Sequence, residues 1–275
     1  MIVNRLIRSC VLSVLLLIGL SHSPAILAAE VNPRLSDVAF KADVDGSTQR
    51  YVLIVPEKIA ADMPTDLLIA LHGHGSDRFQ FANADRYECR AARDAAAKHR
   101  MLYVSPDYRA TTSWMGPKAE ADLVQIIGDL KKQYKIGKVF ICGASMGGSA
   151  ALTFAALHPD LIAGVASMNR TANHLEYEKF QDAIAESFGG SKSQIPDEYK
   201  KRSAEYWPER FSMPLAIAAG GKDDLVPSDS VRRLAGVVKK LQPNVLLLYR
   251  EAGGHNTNYA DATAVLEFAI QASTK

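Results

Sequence analysis

The sequence predicts an α/β fold, with a mostly parallel central sheet covered by helices on both faces and led by an antiparallel hairpin. Three observations carry that expectation. Apolar β-type runs alternate with helical stretches along most of the chain. The runs are continuous, without the period-two alternation of a strand that has one wet face, so both faces are covered. Finally, Gly143-Ala144-Ser145-Met146-Gly147 joins one such run, Val139-Phe140-Ile141-Cys142, directly to a stretch of small residues with helical character.

The first segment stands outside the fold. Arg5 and Arg8 precede an uncharged apolar run, Cys10 to Leu20, and small residues follow around Ala25 to Ala29. That is the layout of a cleavable export signal over residues 1–28, which implies a secreted or periplasmic protein. A retained anchor is the competing reading, for which the run falls short of the roughly 20 apolar residues a span needs. Residues 29–275 then form a single domain, large enough to bury a full core with 48% of the chain hydrophobic. Removing Arg5 and Arg8 with the leader takes the formal net charge of +2 to about zero. A near-neutral chain with mixed charges gives no electrostatic case for nucleic acid, or for a membrane surface after signal cleavage. Cys89 and Cys142 are the cysteines left; two buried thiols are expected in preference to a bridge, and neither pairing nor zinc spacing is legible.

The elements follow in order. Leu35 to Lys41 and Arg50 to Val55 flank Asp45-Gly46, a hairpin turn signal. Strands are then expected at Leu67–Leu71, Leu102–Val104, Val139–Cys142, Ile162–Met168, Leu215–Ala218 and Val245–Tyr249. Helices are expected near Asp85–Lys98, Ala119–Gln133, Met146–Leu157, Ser228–Leu241 and Tyr259–Ala272. One connection, about 170–207, is unusually long and carries Tyr177, Phe180, Phe188, Tyr199, Tyr206 and Trp207. A connection of that length is expected to be a lid or binding insertion over the carboxyl edge of the sheet.

The pentapeptide has a chemical reading. A strand that reverses sharply into a helix strains the residue at the turn and requires small neighbours, which Gly143, Ala144, Gly147 and Gly148 supply. Ser145 is thereby lifted clear of the sheet as a candidate nucleophile, and the amide of Met146 at the helix start faces any negative charge that forms beside it. A serine hydroxyl needs a base and an acid to orient that base. Asp223 lies just past the Leu215–Ala218 strand and His255 just past the last strand, at the rim where parallel strands bring their carboxyl ends together. Asp224 is the competing acid. Asp223 as a turn or helix cap, and His255 as a solvated loop residue, are the plainer alternatives.

His72-Gly73-His74-Gly75 follows the Leu67–Leu71 strand and suits an oxyanion loop, with the His74 amide as second donor beside Met146. A metal reading of His72 and His74 lacks a third ligand, so no metal is expected. His99 and His158 fall just past helix ends as surface or capping residues, and His22 leaves with the leader.

On these motifs the mature chain resembles the α/β-hydrolases, and within them the serine esterases of the esterase-D, feruloyl and acetylxylan esterase-like group, bordering the prolyl-oligopeptidase-type hydrolases. The resemblance implies carboxylic-ester hydrolysis through an acyl-serine intermediate without a cofactor. Trp114, in a loop past a strand end, is a candidate stacking platform for a sugar ring or aromatic acyl group, with core plug as its alternative. Asn169, Arg170, Asn173 and His174 are candidate substrate contacts or caps of the following segment. Together these favour a small-molecule or polysaccharide ester, above all an acylated carbohydrate. A lipase is disfavoured by the charges spread through the insertion. A peptidase of this fold would be expected to carry a further domain, and a binding module would not need the Ser145, Asp223 and His255 set.

Overall fold

The structure, a computed structural model, describes residues 34–57, 59 and 63–273. The proposed signal, residues 1–28, and its cleavage site lie outside the described residues. Eight strands form one sheet: β1 (Arg34–Lys41), β2 (Thr48–Val55), β3 (Thr65–Leu71), β4 (Leu102–Pro106), β5 (Ile136–Ala144), β6 (Gly164–Met168), β7 (Leu215–Gly220) and β8 (Val245–Arg250). Their order is β1-β2-β4-β3-β5-β6-β7-β8. β1 and β2 pair antiparallel around Gly46, whose φ of 67° is the left-handed turn conformation glycine supplies at no steric cost. β2 is also antiparallel to β4, and all later pairings are parallel.

Among the described residues, eight α-helices surround the sheet: α1 (Phe79–Asn83), α2 (Tyr87–Lys98), α3 (Pro117–Gln133), α4 (Met146–Leu157), α5 (Gln181–Phe188), α6 (Pro196–Arg202), α7 (Asp229–Leu241) and α8 (Tyr259–Ala272). The continuous apolar runs now have their cause. In β3, Leu67, Ile69 and Leu71 enter one core with α3, α4 and α7, while Leu68 and Ala70 enter a second with α2 and α8. Successive residues of a strand point to opposite faces, so a strand between two helical layers is apolar at every position. α4 is buried from Met146 through Ala156, which explains a helix made almost wholly of small and apolar residues.

The long connection is not an open loop. It holds α5 and α6, and Ile184, Phe188 and Tyr199 belong to the larger of the two cores. Arg202 fastens it: the fully buried side chain donates to Glu120 Oε2 at 2.7 Å, Glu198 Oε1 at 2.6 Å and the Met115 carbonyl at 2.7 Å. Burial opposes ionisation of Glu120, but its contacts with His158 and Arg202 outweigh that and hold its carboxyl at about 2, below the ordinary 4.5. A carboxyl lowered on folding stabilises the protein above pH 4.5, and that stabilisation is lost as the pH falls toward 2. Glu120→Gln should therefore cost about 3 kcal/mol at pH 7, because it leaves a buried guanidinium short of charge. The deficit should shrink at pH 3, as read from urea denaturation at both pH values.

Among the described residues, Cys89 and Cys142 are free and buried, as expected. Burial pushes the Cys89 thiol up to about 12 and raises that of Cys142 as well, so neither is a reactive thiolate at neutral pH. No described helix is long and apolar enough to cross a membrane.

Candidate active site

Three loops at the carboxyl edge of the sheet converge on Ser145. The β5–α4 junction places it at φ 56° and ψ −125°, a combination that costs a non-glycine residue of order 1–3 kcal/mol and persists only where surroundings enforce it. The enforcement is visible. The Ser145 amide donates to the Met168 carbonyl at 2.9 Å, and the Ser145 carbonyl accepts from the Ser149 amide at 3.0 Å. α4 approaches so closely that a Cβ on Gly147 would lie 2.1 Å from the Leu71 carbonyl oxygen, and one on Gly143 2.4 Å from the Gly147 carbonyl carbon. Small residues are thus required on both sides of the serine.

The two partners expected from sequence are in place. His255 Nε2 lies 3.0 Å from Ser145 Oγ, and His255 Nδ1 lies 2.8 Å from Asp223 Oδ2. Asp223 is buried, and its second oxygen accepts from the amides of Leu225 at 3.1 Å and Val226 at 2.8 Å. Each carboxylate oxygen therefore has its own donors, which fixes the plane of the group and through it the imidazole. Asp224 is exposed; only its carbonyl is engaged, by Lys179 Nζ. The turn role considered for Asp223 is real, since it does hold two amides of its own loop. That role is what aims its other oxygen at His255.

His72-Gly73-His74-Gly75 runs beside the serine: a Cβ on Gly73 would lie 3.9 Å from Ser145 Cβ. The β4–α3 loop and α1 brace it. Tyr108 donates its hydroxyl to the His72 carbonyl at 2.6 Å, the Gly75 amide donates to the Thr111 carbonyl at 2.8 Å, and Gln80 Oε1 accepts from the Gly73 amide at 2.7 Å. His72 is buried, its ring nitrogens set against the carbonyls of Gly73 and Asp107 at 2.9 and 3.2 Å, and burial lowers its pKa. The amides of His74 and Met146 find no acceptor among the described residues, so both donors are unspent. Among the described residues no group of three or more His, Cys, Asp and Glu is arranged to hold a metal ion.

The side chains expected as substrate contacts are all buried. Trp114 is 1% exposed, with its ring against Tyr177, Phe180, His74 and the edge of His174, so it offers no face on which a sugar could stack. It is the core plug that a single aromatic past a strand end can equally be. His174 is also 1% exposed, and its pKa is pushed to about 3 by burial and by the charge of Arg202. Asn169 donates to Thr257 Oγ1 at 2.8 Å and borders a small pocket of about 110 Å³ that Gly220, Gly253 and Thr257 also line. Asn173 caps its own segment, accepting from the amides of Leu175 and Glu176. Arg170 is buried with its guanidinium on the Ala218 carbonyl, where burial lowers its pKa to about 9 against the opposing pull of Asp223. His99 and His158 cap α2 and α4, and also contact Glu267 and Glu120.

The residues that sequence reasoning missed as site components are Phe180 and Tyr177. Phe180, at φ 55°, sets its ring 4.3 Å from that of His74. Tyr177 donates its hydroxyl to the Leu225 carbonyl at 3.1 Å, tying the insertion to the loop of Asp223. Their aromatic character was visible in the sequence; no local pattern ties them to these two loops, which meet them only in the folded chain.

Residues 66–201 match the family model described as the alpha/beta hydrolase fold. By sequence the chain matches none of the curated proteins. Among solved structures it is similar to the fluorophosphonate-binding serine hydrolase F of Staphylococcus aureus, with a TM-score of 0.68, 18% identity, and coverage of 88% of this chain and 99% of that one. It is also similar to a ferulic acid esterase, with a TM-score of 0.63, 16% identity, and coverage of 86% and 98%. A third likeness is to a putative dipeptidyl aminopeptidase IV of Bacteroides ovatus, with a TM-score of 0.69, 15% identity, and coverage of 88% of this chain and 36% of that longer one.

Proposed function

We propose that this chain, which has the α/β-hydrolase fold, is a serine hydrolase of carboxylic esters. The carrying observation is the continuous hydrogen-bonded line Ser145–His255–Asp223, ending on a serine held in a strained elbow. Ser145 attacks the ester carbonyl while His255 takes its proton. Asp223 holds the Nδ1–H tautomer and stabilises the imidazolium. The oxygen of the tetrahedral intermediate takes its charge toward the amides of Met146 and His74; each such donor is worth roughly 3 kcal/mol of barrier. His255 then protonates the departing alcohol, and water activated by the same imidazole releases the acid from Ser145.

The substrate class proposed is an ester of a soluble alcohol, with acetyl or feruloyl sugars first among them. Its support is the export layout of residues 1–28 and the likeness to a ferulic acid esterase. Trp114 no longer contributes to that support. Export is itself part of the proposal, tested by N-terminal sequencing of the mature protein, where a start near Ala29 or Glu30 is expected and a start at Met1 would contradict it.

Ser145→Ala should abolish labelling by a fluorophosphonate and lower ester turnover by about six orders of magnitude, as loss of a triad nucleophile does. Retained labelling or turnover would sink the assignment. A panel of nitrophenyl acetate, a feruloylated sugar and a dipeptidyl anilide distinguishes the classes: turnover of the anilide alone makes the enzyme a peptidase.

A further inference from the structure

His74 has a side chain that the mechanism above does not use. Trp114 Nε1 donates to its Nδ1 at 3.2 Å, so Nδ1 acts as acceptor and the ring proton belongs on Nε2. Phe180 covers one face of the ring at 4.3 Å between centroids. The Nε2 edge has no hydrogen-bond partner among the described residues and is not one of the buried polar atoms left unpaired, so it is open to solvent. The residue before it borders Ser145. The result is one N–H donor, oriented by a buried tryptophan and one residue along from the glycine that borders Ser145.

We propose that the His74 imidazole is a specificity-determining donor that selects esters whose alcohol carries a second oxygen on the carbon next to the ester-bearing one. Such an acceptor is what a partly acylated sugar or other polyol ester presents. The inference rests on the ester-hydrolase reading and adds the substrate feature that the site recognises. The proposed mechanism assigns two backbone amides to the oxyanion, which leaves the imidazole edge for another oxygen of the substrate. Burial lowers the pKa of His74 below the ordinary 6.5, so the ring stays neutral at working pH and recognises an uncharged acceptor without attracting carboxylates.

The test compares 2-methoxyethyl acetate with butyl acetate, which have the same heavy-atom skeleton and differ by one ether oxygen. His74→Phe keeps the backbone amide and an aromatic ring against Phe180. The ratio of kcat/KM for the two esters should fall about tenfold from wild type to His74→Phe, the worth of one hydrogen bond; comparing ratios removes the intrinsic difference in leaving group. An unchanged ratio overturns the proposal; where it comes with an equal loss on both esters, the side chain acts on the oxyanion instead. Turnover of neither ester by wild type overturns the ester reading and this inference with it. As a measurement that needs no variant, ¹⁵N spectra of wild type at pH 7.5 should show the His74 proton on Nε2, and a proton on Nδ1 overturns the proposal.

Discussion

Asp223→Asn should lower kcat by about four orders of magnitude without unfolding the protein. The geometry gives the reason. Asp223 Oδ1 accepts from two amides, those of Leu225 and Val226, which leaves Oδ2 for His255 Nδ1. In asparagine one of those positions becomes an NH₂. The two amides require an oxygen, so the NH₂ must face His255, and Nδ1 must then accept. The ring proton moves to Nε2, the nitrogen 3.0 Å from Ser145 Oγ, and the base can no longer take the serine's proton. The volume is nearly unchanged, so circular dichroism and the thermal midpoint should stay close to wild type. Asp224→Asn is the matched control. That side chain is exposed and outside the hydrogen-bonded line, and kcat should change by less than about threefold. Equal losses for the two variants would mean that the acid had been assigned wrongly.

Why Asp223 and His255 were legible in sequence, and the substrate contacts were not, follows from what each depends on. Parallel strands deliver their carboxyl ends to one rim whatever the side chains do, so loops after β5, β7 and β8 meet by topology alone. β3 and β5 were legible for a related reason, since burial on both faces writes an unbroken apolar run. Trp114 carries no such information. An aromatic residue past a strand end is equally a platform or a plug, and the difference lies in whether another segment covers it. Tyr177 and Phe180 do so, from more than 60 positions away. The insertion was recognised by its length, but its helices, α5 and α6, are too short for a periodic signal to show which face is apolar. Its docking depends on Arg202, a residue whose burial against Glu120 no local pattern predicts. The five-residue helix α1 escaped for the same reason of length.

Gly147→Ala tests the other half of the site, the closeness of helix to sheet, and should be among the most damaging single methyl additions in the chain. The new Cβ would stand 2.1 Å from the Leu71 carbonyl oxygen and 2.6 Å from that of His72. Both are backbone atoms at the end of β3, so no rotamer change relieves the contact. Either α4 lifts away, which uncovers a helix buried along nearly its whole length, or the loop of His72 to Gly75 moves and takes its oxyanion donor with it. The expected result is a loss of more than about 3 kcal/mol, seen as a thermal midpoint lower by roughly 10 °C, with kcat down by at least about a hundredfold in the fraction that folds. Gly128→Ala is the informative partner. Gly128 sits inside α3 with nothing within 4 Å of an added Cβ, and alanine there should raise stability by about 0.5–1 kcal/mol through helix propensity and a less flexible unfolded chain. If both variants proved equally stable, the approach of α4 to β3 would have to be looser than these distances allow, and the strain held at Ser145 would lose the packing that sustains it.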